Sequence, residues 1–211
     1  MTFFEEFPDP PQPEAPPRRR EPWEQPDHVL PASVPGDAVV IRTPDAAVWA
    51  GAVQAYPNGF ALTLRVVRRR PGGAYRDPDP FASGDAGTGL RFGLEFADGR
   101  RAAMGHGMRV RFQQPRDDGP LWLQPNGGGG NHLSWDQNLW IAPLPPNGPV
   151  LLVGSWPEAG VDEQRAELDG TAIRAAAARA VELWPEEEAP DAGRGVSVRV
   201  STAHVADADA D

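Results

Sequence analysis

The amino-acid sequence predicts an all-β fold, an antiparallel β-sandwich, with one C-terminal α-helix and disordered tails. Three observations predict this class. Apolar residues recur at every second position between about residue 38 and residue 156, as in strands that bury one face. Turn residues separate these stretches at short intervals. Proline and glycine account for 25 and 23 of the 211 residues, about twice their average share.

The first 34 residues are predicted to form a proline-rich, disordered N-terminal tail. Proline removes a backbone donor and favours extended chain, and these residues are rich in it. The β-sandwich domain is expected over 35–185. The segment 186–211 is expected to be an acidic, largely disordered C-terminal tail, since its last six residues alternate alanine and aspartate.

Within the domain, alternation predicts strands at 38–42, 48–56, 60–66, 90–96, 108–112, 121–123, 133–141 and 150–156. The third of these has the clearest pattern, because Phe60, Leu62 and Leu64 alternate with Thr63 and Arg65. Eight short strands separated by turns are typical of two packed antiparallel sheets.

One helix is predicted over about 170–184. Asp169 or Thr171 can cap its N-terminus, and an alanine run at 175–178 favours helix. Val181 and Trp184 continue its apolar stripe at helical spacing. We expect Trp184, like Trp49 and Trp156, to lie in the core.

The formal net charge of −10 lies mainly in the two tails, because residues 28–185 carry 16 acidic residues and 15 arginines. There is no lysine. A net-acidic chain is poorly suited to binding a phosphate backbone, so we expect no nucleic-acid partner. No apolar run approaches the roughly 20 residues of a membrane span, and the first residues do not resemble a secretory signal. With no cysteine present, the expected protein is soluble and cytoplasmic.

Several stretches of the domain resemble those of an uncharacterised β-rich family of actinobacterial proteins. These stretches are Ala55–Leu64, Phe96–Arg101, Gly127–Gly130, Leu139–Pro149, and the segment from Trp156-Pro157 to Leu183–Pro185. The resemblance covers roughly residues 36–185 and rests on turn and packing residues. It implies a β-rich fold, and it brings no activity, ligand or catalytic residue with it.

The preferred functional hypothesis is a non-catalytic binding or structural module that acts through a sheet face, loops or tails. Its partner would be another protein or a second copy of the chain. Arg65, Arg91, Arg109 and Arg111 are expected to line one sheet face, where they would attract an acidic partner or the acidic tail. We expect no cofactor, metal or catalytic residue.

A second hypothesis is a small-molecule or carbohydrate binder that uses an aromatic platform beside Gly127–Gly130. Trp140 has the parity of the polar strand face, so we expect it to be exposed together with Trp122. Asn131 and Asp136, with Asn126, would supply hydrogen bonds. The four glycines themselves are expected to form a mobile hairpin tip.

A third hypothesis is a hydrolase built on His132, Ser134 and Asp136, which alternate along one predicted strand. Neighbours two apart on a strand face lie about 6.5–7 Å from each other, too far for direct proton transfer. The arrangement therefore favours a solvated polar face over a catalytic triad.

Overall fold

Alternate burial of side chains along the strands produces the two large sheets of this protein. The computed structural model describes residues 21–70, 79–81, 88–105, 109–113 and 120–185, with backbone only at 105 and 109–113. The described residues lie within one unit, Glu21–Pro185. The disorder expected for 1–20 and 186–211 concerns residues outside the described part.

Thirteen strands and one α-helix are found in this part of the chain. The strands are β1 (Val29–Leu30), β2 (Ala32–Ser33), β3 (Ala38–Arg42), β4 (Ala46–Tyr56), β5 (Gly59–Arg68), β6 (Arg91–Phe96), β7 (Arg101–Gly105), β8 (Arg109–Gln113), β9 (Trp122–Gly130), β10 (Ser134–Ala142), β11 (Pro149–Trp156), β12 (Val161–Asp169) and β13 (Val181–Glu182). Helix α1 spans Gly170–Ala177, and a 3-10 turn spans Pro157–Ala159.

The strands form three antiparallel sheets. A six-stranded sheet has the order β2-β4-β5-β10-β9, with β3 also paired to β4. A five-stranded sheet has the order β12-β11-β6-β7-β8. Strands β1 and β13 form a two-residue pairing of their own, in which Leu30 lies opposite Val181. The predicted antiparallel all-β class with one helix is confirmed.

The core lies between the two large sheets. Phe60 of the six-stranded sheet and Phe96 of the five-stranded sheet have ring centroids 6.5 Å apart. The predicted inward residues of β5 and β6 belong to one buried cluster, namely Phe60, Leu62, Leu64, Val66, Phe92, Leu94 and Phe96. Each is at most 2% exposed, so the period-two pattern identified the buried faces of these strands correctly.

A bulge in β4 changes which residues face the core. The pairing of β4 with β5 shifts register between Gly51 and Gln54, and Ala52 adopts a positive φ of 50°. Val48 lies on the buried side before the bulge, and Val53 lies on it after the bulge. Trp49 consequently points outward and is only half-buried, so its predicted place in the core is wrong.

Helix α1 is shorter than predicted. The Asp169 carboxylate accepts hydrogen bonds from the backbone of Thr171 and Ala172, which fixes the start of the helix. The chain leaves the helix after Ala177 and becomes extended, pairing β13 with β1. Trp184 is therefore 58% exposed, and its predicted burial is wrong, whereas Trp156 is buried as expected.

The predicted N-terminal boundary at residue 34 is too late. Residues 21–34 lie against the domain and include β1 and β2. Proline at position 22 is compatible with this placement, because residues 22–24 are held through their carbonyl oxygens by side chains of the sheet, and proline keeps its carbonyl.

Edge strand β12 was absent from the predicted strands. Its sequence carries few apolar residues, and only Val161 is buried. Such a strand faces solvent along most of its length, so it lacks the strong alternation of β5 or β6. Within the described residues, no helix combines the length and the apolar character that a membrane crossing requires.

The turn between β6 and β7 is held by Asp98 and Arg100. Arg100 is 7% exposed, and its Nη2 and Nε lie 2.6 and 2.8 Å from Asp98 Oδ2. Its guanidinium also lies 5.2 Å from the centre of the Phe96 ring. Burial alone would raise the pKa of Asp98, but the hydrogen bonds and charge of Arg100 outweigh it. The pKa of Asp98 therefore lies below its ordinary value of 3.8.

We expect Asp98→Asn to lower the free energy of unfolding at neutral pH by about 2 kcal/mol, because a buried guanidinium loses its ionised partner. The pKa of Asp98 is lower in the folded protein than in the unfolded chain, so the ionised carboxylate stabilises the fold. This stabilisation is fully present above the pKa of the unfolded chain, and it is lost as pH falls through the pKa of the folded protein. The difference between variant and parent should therefore shrink below about pH 4. Urea unfolding across this range measures it. Asp162→Asn, at an exposed position of β12, is the control, and equal losses in both variants would contradict the prediction.

Candidate functional site

Four aromatic side chains gather on the outer face of the six-stranded sheet, and we call them the aromatic cluster. Trp140 packs edge-on against Tyr56, with ring centroids 5.3 Å apart. Trp23 stacks on Trp122 at 5.0 Å with the rings 12° from parallel. Trp140 and Tyr56 belong to a second buried group with Val29, and Trp122 packs against it.

The aromatic cluster is covered by residues 21–27, which we call the N-terminal strap. Asn58 Nδ2 donates to the carbonyl oxygens of Pro22 and Glu24 at 2.9 and 2.8 Å. Trp140 Nε1 donates to the carbonyl oxygen of Trp23 at 2.7 Å. Side chains of the sheet thus hold the backbone of the strap, and the strap in turn keeps the indole of Trp140 from solvent.

The prediction that Trp140 is an exposed platform residue is wrong. Its strand parity does place it on the outer face, opposite Ala61 of β5, but only 2% of it is exposed. Trp122 is half-buried beneath Trp23. The sequence pattern gave the correct face and could not show that a distant segment covers it. Trp23, which is 38% exposed, is the outermost member of the cluster.

A groove of about 330 Å³ adjoins the aromatic cluster on the same face, and we call it the amide groove. Ala61 belongs to both, since it packs against the cluster and lines the groove. The lining residues are Gln25, Ala52, Gln54, Ala61, Leu62, Thr63, Asn126, Asn138 and Leu139. Its polar side chains are four carboxamides and one hydroxyl, and every one of them is uncharged.

Hydrogen bonds fix part of this lining. Asn126 Nδ2 donates to Gln25 Oε1 at 2.8 Å, and Gln25 Nε2 donates to the Tyr56 hydroxyl at 2.9 Å. Thr63 Oγ1 lies 3.0 Å from Asn138 Oδ1, across the β5–β10 pair. The side chain of Gln54 and Asn138 Nδ2 make no hydrogen bond to other described residues. The groove therefore keeps donors and an acceptor that a ligand can use.

Sequence reasoning found only part of this groove. Thr63 and Asn138 are outward positions of predicted strands, and Asn126 was a proposed hydrogen-bond donor. Gln25 was missed because it lies in a segment expected to be a tail. Gln54 was missed because an outward glutamine beside the inward Val53 is ordinary on a solvated strand face. For the amide groove, the sequence offers one signal, which is glutamine and asparagine at outward positions of adjacent strands.

Asp136 lies on the same face beyond the groove and pairs with Arg65. Arg65 is its cross-strand partner, with Nε 3.3 Å from Asp136 Oδ1. The guanidinium also lies 5.9 Å from the centre of the Trp49 ring. Both charged side chains are nearly half exposed, so the pair contributes little to stability.

The four glycines lie within strand β9, so their predicted place at a hairpin tip is wrong. Gly128–Gly130 pair with Trp135–Gln137 of β10. The tip is formed instead by Asn131, whose Oδ1 accepts hydrogen bonds from the backbone of Leu133 and Ser134. Asn131 is therefore a turn residue and is not among the residues that line the amide groove.

A buried glutamine explains one of these glycines. Gln137 is fully buried, and its Nε2 donates to the carbonyl oxygens of Gly127 and Asn138 at 2.7 and 3.1 Å. A methyl group on Gly128 would lie 2.5 Å from Gln137 Oε1. The glycine thus leaves room for a polar side chain that β10 directs toward the core.

Ser134 and Asp136 lie two apart in strand β10, but the third proposed hydrolase residue, His132, is not on that strand face. His132 is exposed in the turn before β10, and the strand begins only at Ser134. Asp136 pairs with Arg65, as described above. Within the described residues, no group of three or more histidine, aspartate or glutamate side chains is arranged to hold a metal ion.

The predicted basic face is wrong as a single surface, because the four arginines belong to different sheets. Arg65 lies in β5 of the six-stranded sheet. Arg91 lies in β6 of the five-stranded sheet, where its Nη2 donates to Ser155 Oγ at 2.9 Å. Arg109 and Arg111 lie in β8 of that same sheet. Their side chains, and the acidic tail expected to mask them, are outside the described residues.

Comparison with known proteins adds no assignment. The chain matches no protein-family model and no curated protein.

We expect Gly128→Ala to lower the free energy of unfolding by about 1–3 kcal/mol, because the new methyl group would meet the fixed side chain of Gln137. Gly129→Ala is the matched control, since a methyl group there meets nothing within 4 Å. That variant should be neutral or slightly stabilised. Thermal unfolding of both measures the difference, and equal midpoints would contradict the packing described for Gln137.

Trp140→Phe is expected to loosen the N-terminal strap, because the carbonyl oxygen of Trp23 loses its indole donor. Hydrogen–deuterium exchange should rise by about tenfold over residues 21–27 and stay unchanged in β5 and β6. Trp184→Phe is the matched control at an exposed tryptophan. Unchanged exchange in the strap of the Trp140 variant would show that other contacts hold it.

Proposed function

We propose that this protein is a non-catalytic binding module that holds a small, neutral, polar ligand in the amide groove. The observation that carries the proposal is the lining itself. Five uncharged polar side chains converge on about 330 Å³, and Gln54 and Asn138 keep hydrogen-bonding groups that the other described residues do not use. Small-molecule sites commonly have volumes of about 300–1,000 Å³ with a few placed polar groups.

The chemistry of the groove supports binding over catalysis. A nucleophile, a general acid or a general base requires a group that can react or exchange a proton near neutral pH. Carboxamides cannot exchange a proton in that way, and the Thr63 hydroxyl donates to Asn138 with no base among the lining residues. Ligand recognition is the activity that these groups can perform.

The location of the groove supports a module that acts through a sheet face. The N-terminal strap and four strands of the six-stranded sheet, β4, β5, β9 and β10, contribute its polar side chains. The site is therefore built mainly on sheet positions, and it adjoins a buried aromatic cluster. An uncharged lining attracts no phosphate backbone, so nucleic acid is not the proposed ligand. We propose the cytoplasm as the site of action, which fractionation of cells expressing the full chain would test.

The experiment is a fragment titration of the isotope-labelled full chain followed by NMR. Neutral amide and polyol fragments should shift the side-chain amide signals of Gln54, Asn126 and Asn138, and acetate should not. Thr63→Trp, which fills the groove, is expected to abolish these shifts. Gln124→Trp, at an exposed position of β9, is the matched control and should retain them.

Asn138→Ala provides a second, milder variant in case the tryptophan prevents folding, and cooperative thermal unfolding checks each protein. If neutral fragments bind elsewhere, or bind equally to the Thr63 and Gln124 variants, the groove is not the binding site and the proposal is overturned.

A further inference from the structure

We infer that the ligand of the amide groove is a neutral saccharide, an inference that rests on the function proposed above. A carboxamide carries a donor beside an acceptor, and a sugar hydroxyl can accept and donate at once. Neighbouring hydroxyls on a sugar ring can therefore engage both ends of one carboxamide. Gln54 offers both ends, and Asn138 offers its Nδ2, because its Oδ1 already interacts with Thr63.

The floor of the groove suits the flat, less polar face of a sugar ring. Ala52 and Ala61 have the shortest side chains of the lining. We call the small apolar surface that they form between the longer polar side chains the alanine shelf. The positive φ of Ala52 marks the bulge that places Gln54 opposite Ala61. A ring resting on this shelf would have carboxamides around its edge, where its hydroxyl groups project.

Two of the lining carboxamides are positioned before any ligand binds. Asn126, Gln25 and Tyr56 form a continuous chain of hydrogen bonds that runs from β9 through the strap to β4. Trp140, which packs against Tyr56, anchors the strap at Trp23. Side chains held in this way lose less conformational freedom on binding, which matters for a weakly hydrophobic ligand.

Charge and position favour a neutral saccharide over the other candidates. An anionic sugar would lie in a groove whose lining offers no cation, since the nearby Arg65 is paired with Asp136. An extended peptide is usually recognised along a sheet edge, through backbone hydrogen bonds and side-chain pockets. The amide groove instead crosses the face of β4, β5 and β10, where the strand backbones are already paired.

The test is calorimetric and NMR titration of the full chain with maltose, cellobiose and N,N′-diacetylchitobiose. Glucose 6-phosphate represents the anionic sugars, and a blocked tetraglycine peptide represents extended peptides. We expect at least one neutral disaccharide to bind, with an affinity that does not change between low and high sodium chloride. Gln54→Ala and Asn138→Ala should each weaken that binding by about tenfold. Gln124→Ala, at an exposed glutamine of the same sheet that does not line the groove, should leave it unchanged.

The outcomes separate the two proposals. If neutral fragments bind in the groove but none of the three disaccharides does, the saccharide inference is wrong and the binding module stands. Preferential binding of the phosphorylated sugar or of the peptide would also overturn the inference. If neither fragments nor saccharides perturb the groove signals, both proposals fail together.

Discussion

Burial between the two large sheets governs the whole molecule, because a strand that directs one residue inward must direct the next one outward. Phe60, Leu62 and Leu64 fill the interior of the sandwich, and this fixes Ala61 and Thr63 on the opposite face. On β10, the burial of Gln137 and Leu139 likewise fixes Asn138 between them. The outer face that forms the groove is therefore determined by the packing of the inner one. Its polar residues are held by a register that could slip only by exposing the core.

The outer face changes in character along β5 and β10. The aromatic cluster lies at one end, the uncharged groove lies in the middle, and the pair Arg65–Asp136 lies at the other end. Each of these regions satisfies a different requirement. The aromatic end needs the N-terminal strap to exclude water, whereas the charged end is solvated and needs no cover. In the middle region, Gln54 and Asn138 keep hydrogen-bonding groups that no other described residue uses.

Much of the architecture could be predicted from the sequence, because strong alternation reports burial directly. Strands such as β5 and β6 were predicted with their correct inward residues. Errors occurred where a segment distant in sequence decides whether a residue is exposed or which secondary structure it adopts. Trp140 is on the predicted face, but it is covered by a strap that lies more than a hundred residues away in sequence. Trp184 fits a helical stripe, but the pairing of β13 with β1 competes with the helix and prevails.

Local irregularity accounts for two further errors, those at Trp49 and at the glycine run. A bulge with one residue at positive φ reverses which alternate residues of β4 face the core. The sequence contains no pattern from which this bulge could be predicted. The glycine run resembled a flexible tip because glycine is rare in strands, yet the space taken by Gln137 requires glycine at position 128. The four arginines share an outward parity, but parity within a strand does not reveal to which of two sheets that strand belongs.

The short pairing of β1 with β13 has a mechanical consequence. It joins a strand that comes before the sandwich to one that comes after it, so the two sides of the chain are tied at one point. Tension applied from both sides reaches the N-terminal strap and these few backbone bonds before it reaches the long ladders of β4, β5 and β10. The strap and the pairing thus yield first under load, and Gln25 leaves the groove with the strap while the large sheets stay paired.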